Sequence, residues 1–590
     1  MGNAEIATLL SNVAAAYAIK DEKKYHFQII AYQKAAEVIK NSTSEVTDLI
    51  KDDGLTTLSG VGPSLQAHLN ELHKTGKVKR FEEVMDGVPK ALFPLLQIPS
   101  FGPKTAYKLV THFSLSKVDT VIDDLYRLAH EGKIATLEGF GEKSQADIIR
   151  AIDEYRMGVN KIARMVLPFA TEIAEKMVEY LKKSPDVLEA STLGSLRRKK
   201  DTIGDVDIAV ATNKPEAVLK HFVEYPYKER IIEKGDASAS LLISGGKHID
   251  LMVQPPDRFG SLLQHFTGSK AHNVQLREYA LKKGLSLSEY GIKSKDATEK
   301  GRQKFKTEEA FYKALGLKWI PPEIREGTNE IELSEKDALP KLVELADIKG
   351  DFHLHSSFPI EPSHDMGKDS MEQMVDRALE LNYDYLGFSE HNPSVSKHSA
   401  EETYTILQKR NTKIEQLRDK YNKSIRVFSL LETDILVNGE LAIDDKSLDL
   451  LDGSLVSIHS NFSMDKATMT KRVLKGLSHP KAKILSHPTG RLLNQRPGYD
   501  LEWKEIFAFC KEYDKALEIN CWPLRLDLPD SLIHEALSHN IKFFINTDSH
   551  ALSHMDLMRY GVSVARRGFA TSHDILNTLE YNTLKEWIEK

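Results

Sequence analysis

The rhythm of the sequence after residue 348 constrains the possible fold more than any other feature of the chain. Short apolar runs there alternate with helical segments, and the runs finish at or near His, Glu or Asp. The runs are "GDFHLH", "YLGFSEH", "VFSLLETD", "LVSIHS", "KILSHP", "ALEIN" and "FFINTDSH". Strands that end in polar residues and are separated by helices predict a barrel with its active site at the carboxyl ends of the strands.

The polar residues at these run ends are candidate metal ligands. His353 and His355 lie two apart on a predicted strand and therefore share one face. Mixed imidazole and carboxylate ligands suit manganese, zinc or iron better than calcium, and a cluster of such ions activates water for attack on a phosphoester. A single histidine is more often an ordinary core or surface residue, but the collective position favours a metal cluster. The other candidates are His391, Glu432, His459, His487, Asp548 and His550.

Two aspartates stand at the head of an apolar run in "TIGDVDIAVA", within a region from about 160 to 330 whose pattern predicts an α+β domain. Asp205 and Asp207 are expected to face the same way on a strand, and Asp250 in "GGKHIDLMV" is expected on a neighbouring strand. Three converging carboxylates predict a site for two divalent cations. A solvated edge strand is the alternative, but strand interiors are depleted in Asp.

Upstream of these aspartates, "LGSLRRKKDTIGD" combines a small turn with hydroxyl and guanidinium donors. Its Gly194, Ser195, Arg197 and Arg198 offer groups suited to a polyphosphate, although a basic surface run is the alternative. The order Gly-Ser, arginines, Gly-Asp-x-Asp and a distant Asp favours a nucleotidyltransferase palm.

One pattern repeats three times within residues 5–160, which have mostly helical periodicity. "LSGVGPSLQAHL", "IPSFGPKTAYKL" and "LEGFGEKSQADI" each place a small-hydrophobic-Gly hairpin before an amphipathic helix, with Ser100 replacing a glycine in the second copy. Such turns point backbone N–H groups outward at a helix start, where a DNA phosphate can bind, whereas an isolated copy is more often a helix cap. The repetition favours DNA binding. The candidate glycines are Gly60, Gly62, Gly102, Gly139 and Gly141.

Length and composition restrict the remaining possibilities. At 590 residues the chain is too long for one core, because single cores stop growing at about 250–300 residues. A net charge of −6 means that local basic patches must carry any nucleic-acid binding. The cysteines, Cys510 and Cys521, provide neither a disulfide framework nor a thiolate zinc site, so a cytoplasmic location is expected. The N-terminus is expected to be a helix of the mature protein, and no run reaches membrane-spanning length.

The first 330 residues resemble bacterial family X DNA polymerases, the relatives of DNA polymerase beta. The resemblance rests on "GSLRRKKDTIGDVDI", "HIDLMV", "HFTGSKAHNVQLREYALKKGLSLSEYGI" and "LGLKWIPPEIREG", and the three repeats resemble helix-hairpin-helix motifs. It implies that Asp205 and Asp207 bridge two Mg²⁺ ions and that Asp250 binds the catalytic one. Further implied nucleotide contacts are Gly194, Ser195, Arg198 and Gly204 at the triphosphate, Phe266 and Gly268 at the sugar, and Asn273 and Arg277 at the nascent base pair.

Two residues depart from vertebrate members of that family. His265 stands where they carry a tyrosine, so discrimination against ribonucleotides is not defined by the resemblance. His68 stands where they carry a lysine that forms a Schiff base with abasic sugars. Because an imidazole cannot form that imine, we expect weak 5'-deoxyribose-phosphate lyase activity.

Residues from about 348 to 575 resemble the polymerase and histidinol phosphatase (PHP) domain, a distorted seven-stranded barrel that binds three metal ions through nine ligands. Eight of those ligands match the strand-end candidates named above. Asp365 in "SSFPIEPSHDMGKDS" is the expected ninth, with His364 and Asp369 as alternatives. Glu390 in "SEH" replaces a family aspartate, and its extra methylene is expected to affect the orientation of His391. The resemblance implies a Mn²⁺ or Zn²⁺ cluster and 3'-5' exonuclease or related phosphoesterase activity.

The sequence therefore predicts a multidomain DNA repair enzyme: all-α hairpin regions, an α+β palm and thumb, and a C-terminal distorted (β/α)7 barrel. It is expected to fill short gaps in DNA, to bind gapped or primer-template DNA and deoxynucleoside triphosphates, and to be a monomer. A DNA-end-binding scaffold with an inactive polymerase half is one alternative, and a small-molecule phosphatase tail is another. The expected boundaries are 1–85 and 86–158 for the helical regions, 159–256 for the palm, 257–326 for the thumb, 327–347 for a linker and 348–590 for the PHP domain.

Overall fold

The computed structural model describes residues 3–41, 46, 50, 55, 61–98, 101–156, 164–243, 247–295 and 301–590. The chain divides into two units, Met1–Ala163 and Arg164–Lys590. Among the described residues, no helix is long and apolar enough to cross a lipid bilayer.

The N-terminal unit is helical, in agreement with the three- and four-residue spacing of its apolar side chains. Its helices are α1 (Asn3–Asp21), α2 (His26–Asn41), α3 (Pro63–Thr75), α4 (Lys79–Met85), α5 (Leu92–Leu95), α6 (Pro103–His112), α7 (Val121–His130) and α8 (Glu142–Arg156). Small alanines let α1 pack along α2, in a core that includes Val13, Tyr17 and Tyr32. A second core contains Leu109 of α6 and Leu125 of α7.

The C-terminal unit begins with a mixed sheet, here called the palm sheet, whose order is β2-β4-β7-β6-β5. Its central strands β4 and β7 are parallel, and the other pairs are antiparallel. The apolar Ile208, Ala209 and Val210 bury β4 on both faces, so this strand lies inside the sheet. The elements are β1 (Met165–Val166), α9 (Leu167–Leu181), β2 (Glu189–Thr192), α10 (Gly194–Arg197), β3 (Thr202–Ile203), β4 (Val206–Ala211), α11 (Pro215–Val223), β5 (Lys228–Lys234), β6 (Ser238–Ile243) and β7 (Lys247–Gln254).

The palm sheet is followed by a smaller helical region with one hairpin. Its elements are α12 (Phe259–Thr267), α13 (Lys270–Lys282), β8 (Leu285–Ser288), β9 (Gly291–Ser294), α14 (Glu308–Ala314) and α15 (Glu330–Glu335). Helix α13 begins after Ser269, whose hydroxyl accepts a hydrogen bond from the backbone N of His272. The region has its own core, which includes Leu276, Phe311 and Ile320.

The segment 327–347, which its charged composition predicts to be a linker, is instead packed inside the C-terminal unit. Glu330 is buried, and its Oε1 lies 2.7 Å from Nδ1 of His272. Val343 is also buried, and its backbone N donates to the carbonyl of Ala570. The linker prediction is wrong because charged residues that look solvated in the sequence find partners far along the chain.

The remainder of the C-terminal unit, here called the tail, contains parallel strands in two sheets, with orders β10-β11-β12 and β13-β14-β15-β16-β17. Strands β12 and β13 belong to one run that passes between the sheets at Leu430 and Leu431. Parallel bridges also join the sheets, from Leu354 to Ser549 and from His391 to Glu432. The strands are β10 (Gly350–Leu354), β11 (Tyr385–Phe388), β12 (Arg426–Ser429), β13 (Glu432–Asp434), β14 (Ser454–Ser457), β15 (Ala482–Leu485), β16 (Ala516–Asn520) and β17 (Lys542–Asn546).

Helices alternate with the tail strands and cover their outer faces. Residues on these strands are almost all buried, as expected for parallel strands covered on both sides. The helices are α16 (Met371–Glu380), α17 (Ala400–Tyr421), α18 (Asp445–Leu448), α19 (Lys466–Leu477), α20 (Trp503–Glu512), α21 (Asp530–Ser538), α22 (Met558–Arg567) and α23 (Tyr581–Glu589).

Candidate active sites

Three aspartates meet at one end of the palm sheet. Asp207 on β4 is the register partner of Asp250 on β7, and Asp205 immediately precedes β4. Burial, followed by repulsion from Asp250 and Asp205, raises the pKa of Asp207 well above its ordinary value. Burial also raises the pKa of Asp250, although the Ser240 hydroxyl donates to its carboxylate. Such mutual repulsion is relieved when divalent cations lie between the carboxylates, and an all-oxygen ligand set fits Mg²⁺.

A tight turn at Gly194 lies directly against this aspartate cluster. Gly194 has φ of 55°, and a Cβ at this position would collide with the Asp207 carboxylate. The backbone N of Leu193 donates to the Asp207 carbonyl at 2.8 Å, which fixes the turn beside β4. Ser195 and Arg198, expected at the triphosphate, therefore lie next to the aspartates on the following residues of the same turn.

The two arginines of the turn have different surroundings. Arg197 Nη2 donates to Glu308 Oε2 at 2.6 Å, and Glu308 also pairs with the buried Arg325 at 2.6 Å. Arg198 Nε donates to Glu326 Oε1 at 3.0 Å. Arg197 therefore stabilises the packing of α10 on α14, whereas Arg198 remains the arginine with a candidate binding role.

The residues expected at the sugar and the base lie on α12 and α13. Gly268 has φ of 65°, and a Cβ there would approach Nη1 of Arg198 to 3.1 Å. Asn273 is buried: its Nδ2 donates to the His265 carbonyl at 2.7 Å, and its Oδ1 accepts from Gln264 Nε2. These contacts tie α13 to the end of α12. Two further candidates, Phe266 and Arg277, are half-buried. A Cβ placed on Gly204 would lie 3.3 Å from Nη1 of Arg164.

Of the two histidines that depart from the vertebrate pattern, His265 is buried and His68 is half-buried. Burial lowers the pKa of His265 to about 4, so its imidazole is neutral at physiological pH. Burial also lowers the pKa of His68, whose Nδ1 lies 3.1 Å from the Tyr32 hydroxyl. Neither geometry tests ribonucleotide discrimination or lyase activity, which stay predictions.

Two of the three predicted hairpin turns have closely similar backbone geometry. Gly62 (φ −70°, ψ 169°) and Gly102 (φ −74°, ψ 156°) each cap a helix that has proline at its first position. A Cβ at Gly62, Gly102 or Gly141 would meet nothing within 4 Å, so the backbone at these turns is open to a ligand. Gly139 has φ of 83°. Gly60 and Ser100 lie outside the described residues.

In the tail, four imidazoles lie within 3.4 Å of the Glu432 carboxylate. Its Oε2 is 3.1 Å from Nε2 of His353 and 2.9 Å from Nδ1 of His391. Its Oε1 is 3.0 Å from Nε2 of His487 and 3.4 Å from Nε2 of His459. Although burial opposes the charge, the imidazoles hold the pKa of Glu432 well below its ordinary value.

Asp548 forms a second centre in the same cluster. Its Oδ1 lies 3.3 Å from Nε2 of His355 and 3.5 Å from Nε2 of His353. The ring of His550 stacks on that of His355 with centroids 4.0 Å apart. The eight strand-end candidates are therefore brought to one place, although they come from six different runs of the chain.

Asp365 also reaches this cluster, from a loop. Its two carboxylate oxygens each lie 3.4 Å from a histidine Nε2 atom, one in His391 and one in His550. The hydrogen bond with His391 lowers the pKa of Asp365 far below its ordinary range. The carboxylate is therefore charged and lies beside two of the candidate ligand histidines.

The two alternatives to Asp365 behave differently. His364 lies at the edge of the cluster, with Nε2 3.2 Å from Oδ1 of Asp434. The Asp369 carboxylate instead accepts a hydrogen bond from the backbone N of Leu552 at 2.8 Å. This contact gives Asp369 a structural role in holding the loop, whereas His364 forms a candidate metal-binding group with Asp434 and His459 and so remains an alternative to Asp365.

Several buried candidate ligand atoms of the tail cluster lack a partner in hydrogen-bond geometry, even where two of them lie as close as Glu432 Oε2 and His391 Nδ1. Unpaired buried polar atoms are costly, and such atoms normally indicate an ion or water. Ligand atoms of His355, His391 and His550 lie within 4.8 Å of one another, and so do those of His353, His355 and Asp548. These residues therefore fit metal ions. The unpaired atoms are His353 Nε2, His355 Nδ1 and Nε2, His391 Nδ1, Glu432 Oε2, His487 Nδ1 and His550 Nε2.

The chain is similar over its whole length to a bacterial protein. It is 30% identical over 593 residues to "DNA polymerase/3'-5' exonuclease PolX" of Bacillus subtilis (strain 168), which covers 100% of both sequences. The chain belongs to family X of the DNA polymerases. Within this family X polymerase, residues 262–326 match the DNA polymerase beta thumb family and residues 1–78 match a helix-hairpin-helix domain family.

More distant similarities cover part of the family X polymerase. DNA polymerase lambda of Rattus norvegicus is 25% identical over 356 residues, 55% of this chain and 56% of the rat protein. The crystal structure of a ternary P/T complex of Leishmania infantum polymerase beta covers 40% of this chain and 99% of its own, at 22% identity and a TM-score of 0.29.

Sequence reasoning missed two acids that orient the metal ligands of the tail. Glu518 Oε1 lies 2.7 Å from Nδ1 of His353, and its Oε2 accepts from the backbone N of His487 at 2.7 Å. Asp434 Oδ1 lies 2.7 Å from Nδ1 of His459. Acids in this position fix the ring orientation and tautomer of a ligand histidine. Their signal in the sequence is a carboxylate inside or closing an apolar run, in "ALEIN" and "LLETD".

Glu390, the residue that departs from the family pattern, is bonded away from the metal ligands. Its carboxylate accepts from Arg410 Nε at 2.7 Å and from the Ser356 hydroxyl. Both Glu390 and Arg410 are buried. The longer side chain is therefore accommodated by an arginine, and its effect on the orientation of His391 stays a prediction.

Proposed function

We propose that this family X polymerase fills short gaps in DNA by two-metal nucleotidyl transfer and removes nucleotides from 3' ends at a second site in the tail. The observation that carries the first activity is the meeting of Asp205, Asp207 and Asp250 beside the Gly194 turn. The full-length similarity to a protein named as both polymerase and 3'-5' exonuclease supports the pairing of the two activities.

At the polymerase site, the chain's own residues would hold the reacting groups. Asp205 and Asp207 would hold two Mg²⁺ ions, and Asp250, oriented by the Ser240 hydroxyl, would hold one of them. These ions supply acidification of the primer 3'-hydroxyl and neutralisation of the leaving pyrophosphate. Arg198 would bind the triphosphate by charge-assisted hydrogen bonds from its guanidinium. The open hairpin turns would bind DNA phosphates and so position the duplex without reading its sequence.

For the tail, we propose a distorted PHP barrel with a cluster of Mn²⁺ or Zn²⁺ ions. The two parallel sheets, the bridge from Leu354 to Ser549 and the run through Leu430 support closure of the strands into such a barrel. Metal ions held there activate water for attack on a phosphodiester. Glu518 and Asp434 would orient ligand histidines in the cluster. The proposed ligands are His353, His355, Asp365, His391, Glu432, His459, His487, Asp548 and His550.

The test is the separation of two activities by two pairs of variants. Asp205→Ala should abolish primer extension on gapped DNA, and the exposed Asp257→Ala should leave it unchanged. His353→Ala should abolish degradation of a single-stranded oligonucleotide, and the exposed His534→Ala should leave it unchanged. No difference in primer extension between the wild type and Asp205→Ala would favour a DNA-end-binding scaffold with an inactive polymerase half. If His353→Ala lost hydrolysis of a sugar phosphate but not of the oligonucleotide, the tail would be a small-molecule phosphatase.

A further inference from the structure

The side chain of Arg567, at the end of tail helix α22, reaches the turn that carries Arg198. Only 2% of the Arg567 side chain is exposed. Its Nη1 donates to the Arg198 carbonyl at 2.6 Å, to the Glu323 carbonyl at 3.1 Å and to Glu326 Oε1 at 3.1 Å. One arginine of the tail therefore fixes both the backbone of the turn and the acid beside it.

Glu326 connects Arg567 to the Arg198 side chain. Its Oε1 also accepts from Arg198 Nε at 3.0 Å, so two guanidinium groups share a single oxygen. Arg198 Nη1 donates to the Thr267 carbonyl. A guanidinium is planar and its donors form a rigid fork, so contacts at Nε and Nη1 set the direction of Nη2. A fixed direction is what an arginine needs to bind a phosphate oxygen.

A second acid, Asp530 of the tail, contacts the same group of basic side chains. Arg567 Nη2 donates to Asp530 Oδ2. Lys200 Nζ lies 3.7 Å from Glu326 Oε2 and 3.8 Å from Asp530 Oδ2. With Arg198, three cations share two carboxylates, which leaves one positive charge in excess where a triphosphate is expected to bind.

The tail also holds the other end of the same turn. Arg491 Nη1 lies 3.1 Å from Oδ2 of Asp201, two residues before Ile203 of strand β3. In a buried network, loss of one cation leaves its acid uncompensated. Without Arg567, the Arg198 carbonyl and Glu326 Oε1 would both lose a donor, and the direction of the Arg198 guanidinium would be less firmly fixed.

We propose that Arg567, acting through Glu326, is a positioning residue for the triphosphate of the incoming deoxynucleotide. The tail thereby contributes to nucleotide affinity at the polymerase site, in addition to its own hydrolytic chemistry. This inference rests on the proposed nucleotidyl transfer. It assigns no part in the chemical step to Arg567, whose atoms contact Arg198 and Glu326 rather than substrate.

The test uses the full-length protein and measures single-nucleotide incorporation on primer-template DNA with Mg²⁺ over a range of deoxynucleotide concentrations. Arg567→Ala and Glu326→Gln are each expected to raise the KM for the deoxynucleotide about tenfold, the effect of losing one charge-assisted hydrogen bond, with kcat changed by less than about twofold. Arg567→Lys, which keeps the charge with fewer donors, should be intermediate. The nuclease rate of the tail should be unchanged in all three.

Arg559→Ala is the matched control, because Arg559 lies on the same helix and pairs with Glu175 of α9 at 3.2 Å instead of with Arg198 or Glu326. Unchanged KM values in Arg567→Ala and Glu326→Gln would overturn the proposal, and so would an equal rise in Arg559→Ala or a parallel loss of nuclease activity. If Arg567→Ala does not fold, Glu326→Gln and Arg567→Lys decide the outcome. A wild-type chain that neither extends a primer nor binds a deoxynucleotide would instead reject the proposed function.

Discussion

The palm and the tail build their metal sites with opposite electrostatics. The palm site consists of carboxylates that repel one another, and the pKa of Asp207 is raised by burial and by its acidic neighbours. The tail site mixes acids with imidazoles, and the pKa of Glu432 is lowered because four histidines surround it. The first cluster is unfavourable without cations, whereas the second is partly neutralised by its own side chains.

This difference explains how the chain can hold its ligands in place before metals bind. Three carboxylates need a rigid support, and the paired central strands β4 and β7 provide it. The proposed tail ligands come from six separate runs and one loop, and contacts between histidines and acids, such as those of Glu518, help to hold them together. We therefore expect the two sites to respond differently to the same kind of substitution.

The largest expected effect is at the centre of the tail cluster. Glu432→Gln removes the charge that four imidazoles contact, and should reduce the nuclease rate by about a thousandfold or more, since metal-ion catalysis contributes several kcal/mol. Primer extension should be nearly unchanged, because the palm aspartates hold their ions independently. The measurement is a parallel nuclease and extension assay, together with metal content by elemental analysis. An equal loss of both activities would contradict the independence of the two sites.

A smaller effect is expected from the acid behind His353. Glu518→Gln keeps the size of the side chain but weakens the hydrogen bond that orients the ring, and should lower metal affinity or nuclease rate about 10–100-fold. Titration of the metal-free protein with Mn²⁺ measures the affinity. Glu535→Gln, at an exposed position on α21, is the control. If both variants bind Mn²⁺ as the wild type does, the orienting role of Glu518 is incorrect.

The smallest expected effect is on the thermal stability of the metal-free protein, where substitutions in the two sites should act in opposite directions. Asp207 has a raised pKa, so its contribution to stability is present at low pH and is lost as pH rises through the folded-state value. Asp207→Asn, which mimics the protonated form, should therefore raise the Tm at pH 7–8 by about 2–4 °C. Glu432 has a lowered pKa, so its contribution is present above its unfolded value and is lost in acid. Glu432→Gln should therefore lower the Tm at the same pH.

Melting curves with and without metal test this contrast. Saturating Mg²⁺ should remove the advantage of Asp207→Asn, because the cations compensate the repulsion in the wild type. Lowering the pH toward 5 should also reduce it. A change of the same sign for both substitutions in metal-free protein would show that the two clusters are electrostatically alike.

The sequence is most informative where the spacing of residues along a strand or turn is enough to place them in a site. The order of residues from Gly194 to Asp250 and the polar ends of the tail strands could be read directly, and the structure brings those side chains together. The class of the palm and of the N-terminal helices also followed from periodicity. Because the spacing of residues on one strand is fixed by backbone geometry, such patterns need no knowledge of distant contacts.

The roles that the sequence did not predict all depend on partners that are distant in the chain. Glu330 lies in a charged segment that reads as a linker, yet it is buried against His272, 58 residues earlier. Glu518 contacts His353, 165 residues away, and a single Glu in an apolar run does not reveal that partner. Arg567 is an ordinary basic residue near a helix end until its contact with Arg198 is seen.

Because residues 164–590 form one unit, the palm and the tail have no boundary at which they could be separated as independent domains. A protein that stopped near residue 340 would lose the two arginines, Arg566 and Arg567, that bond to Glu323 and to the Arg198 carbonyl. Replacement of this tail by another domain during evolution would therefore need matching changes in the palm and in the tail. The polymerase and nuclease activities are thus expected to be inherited together.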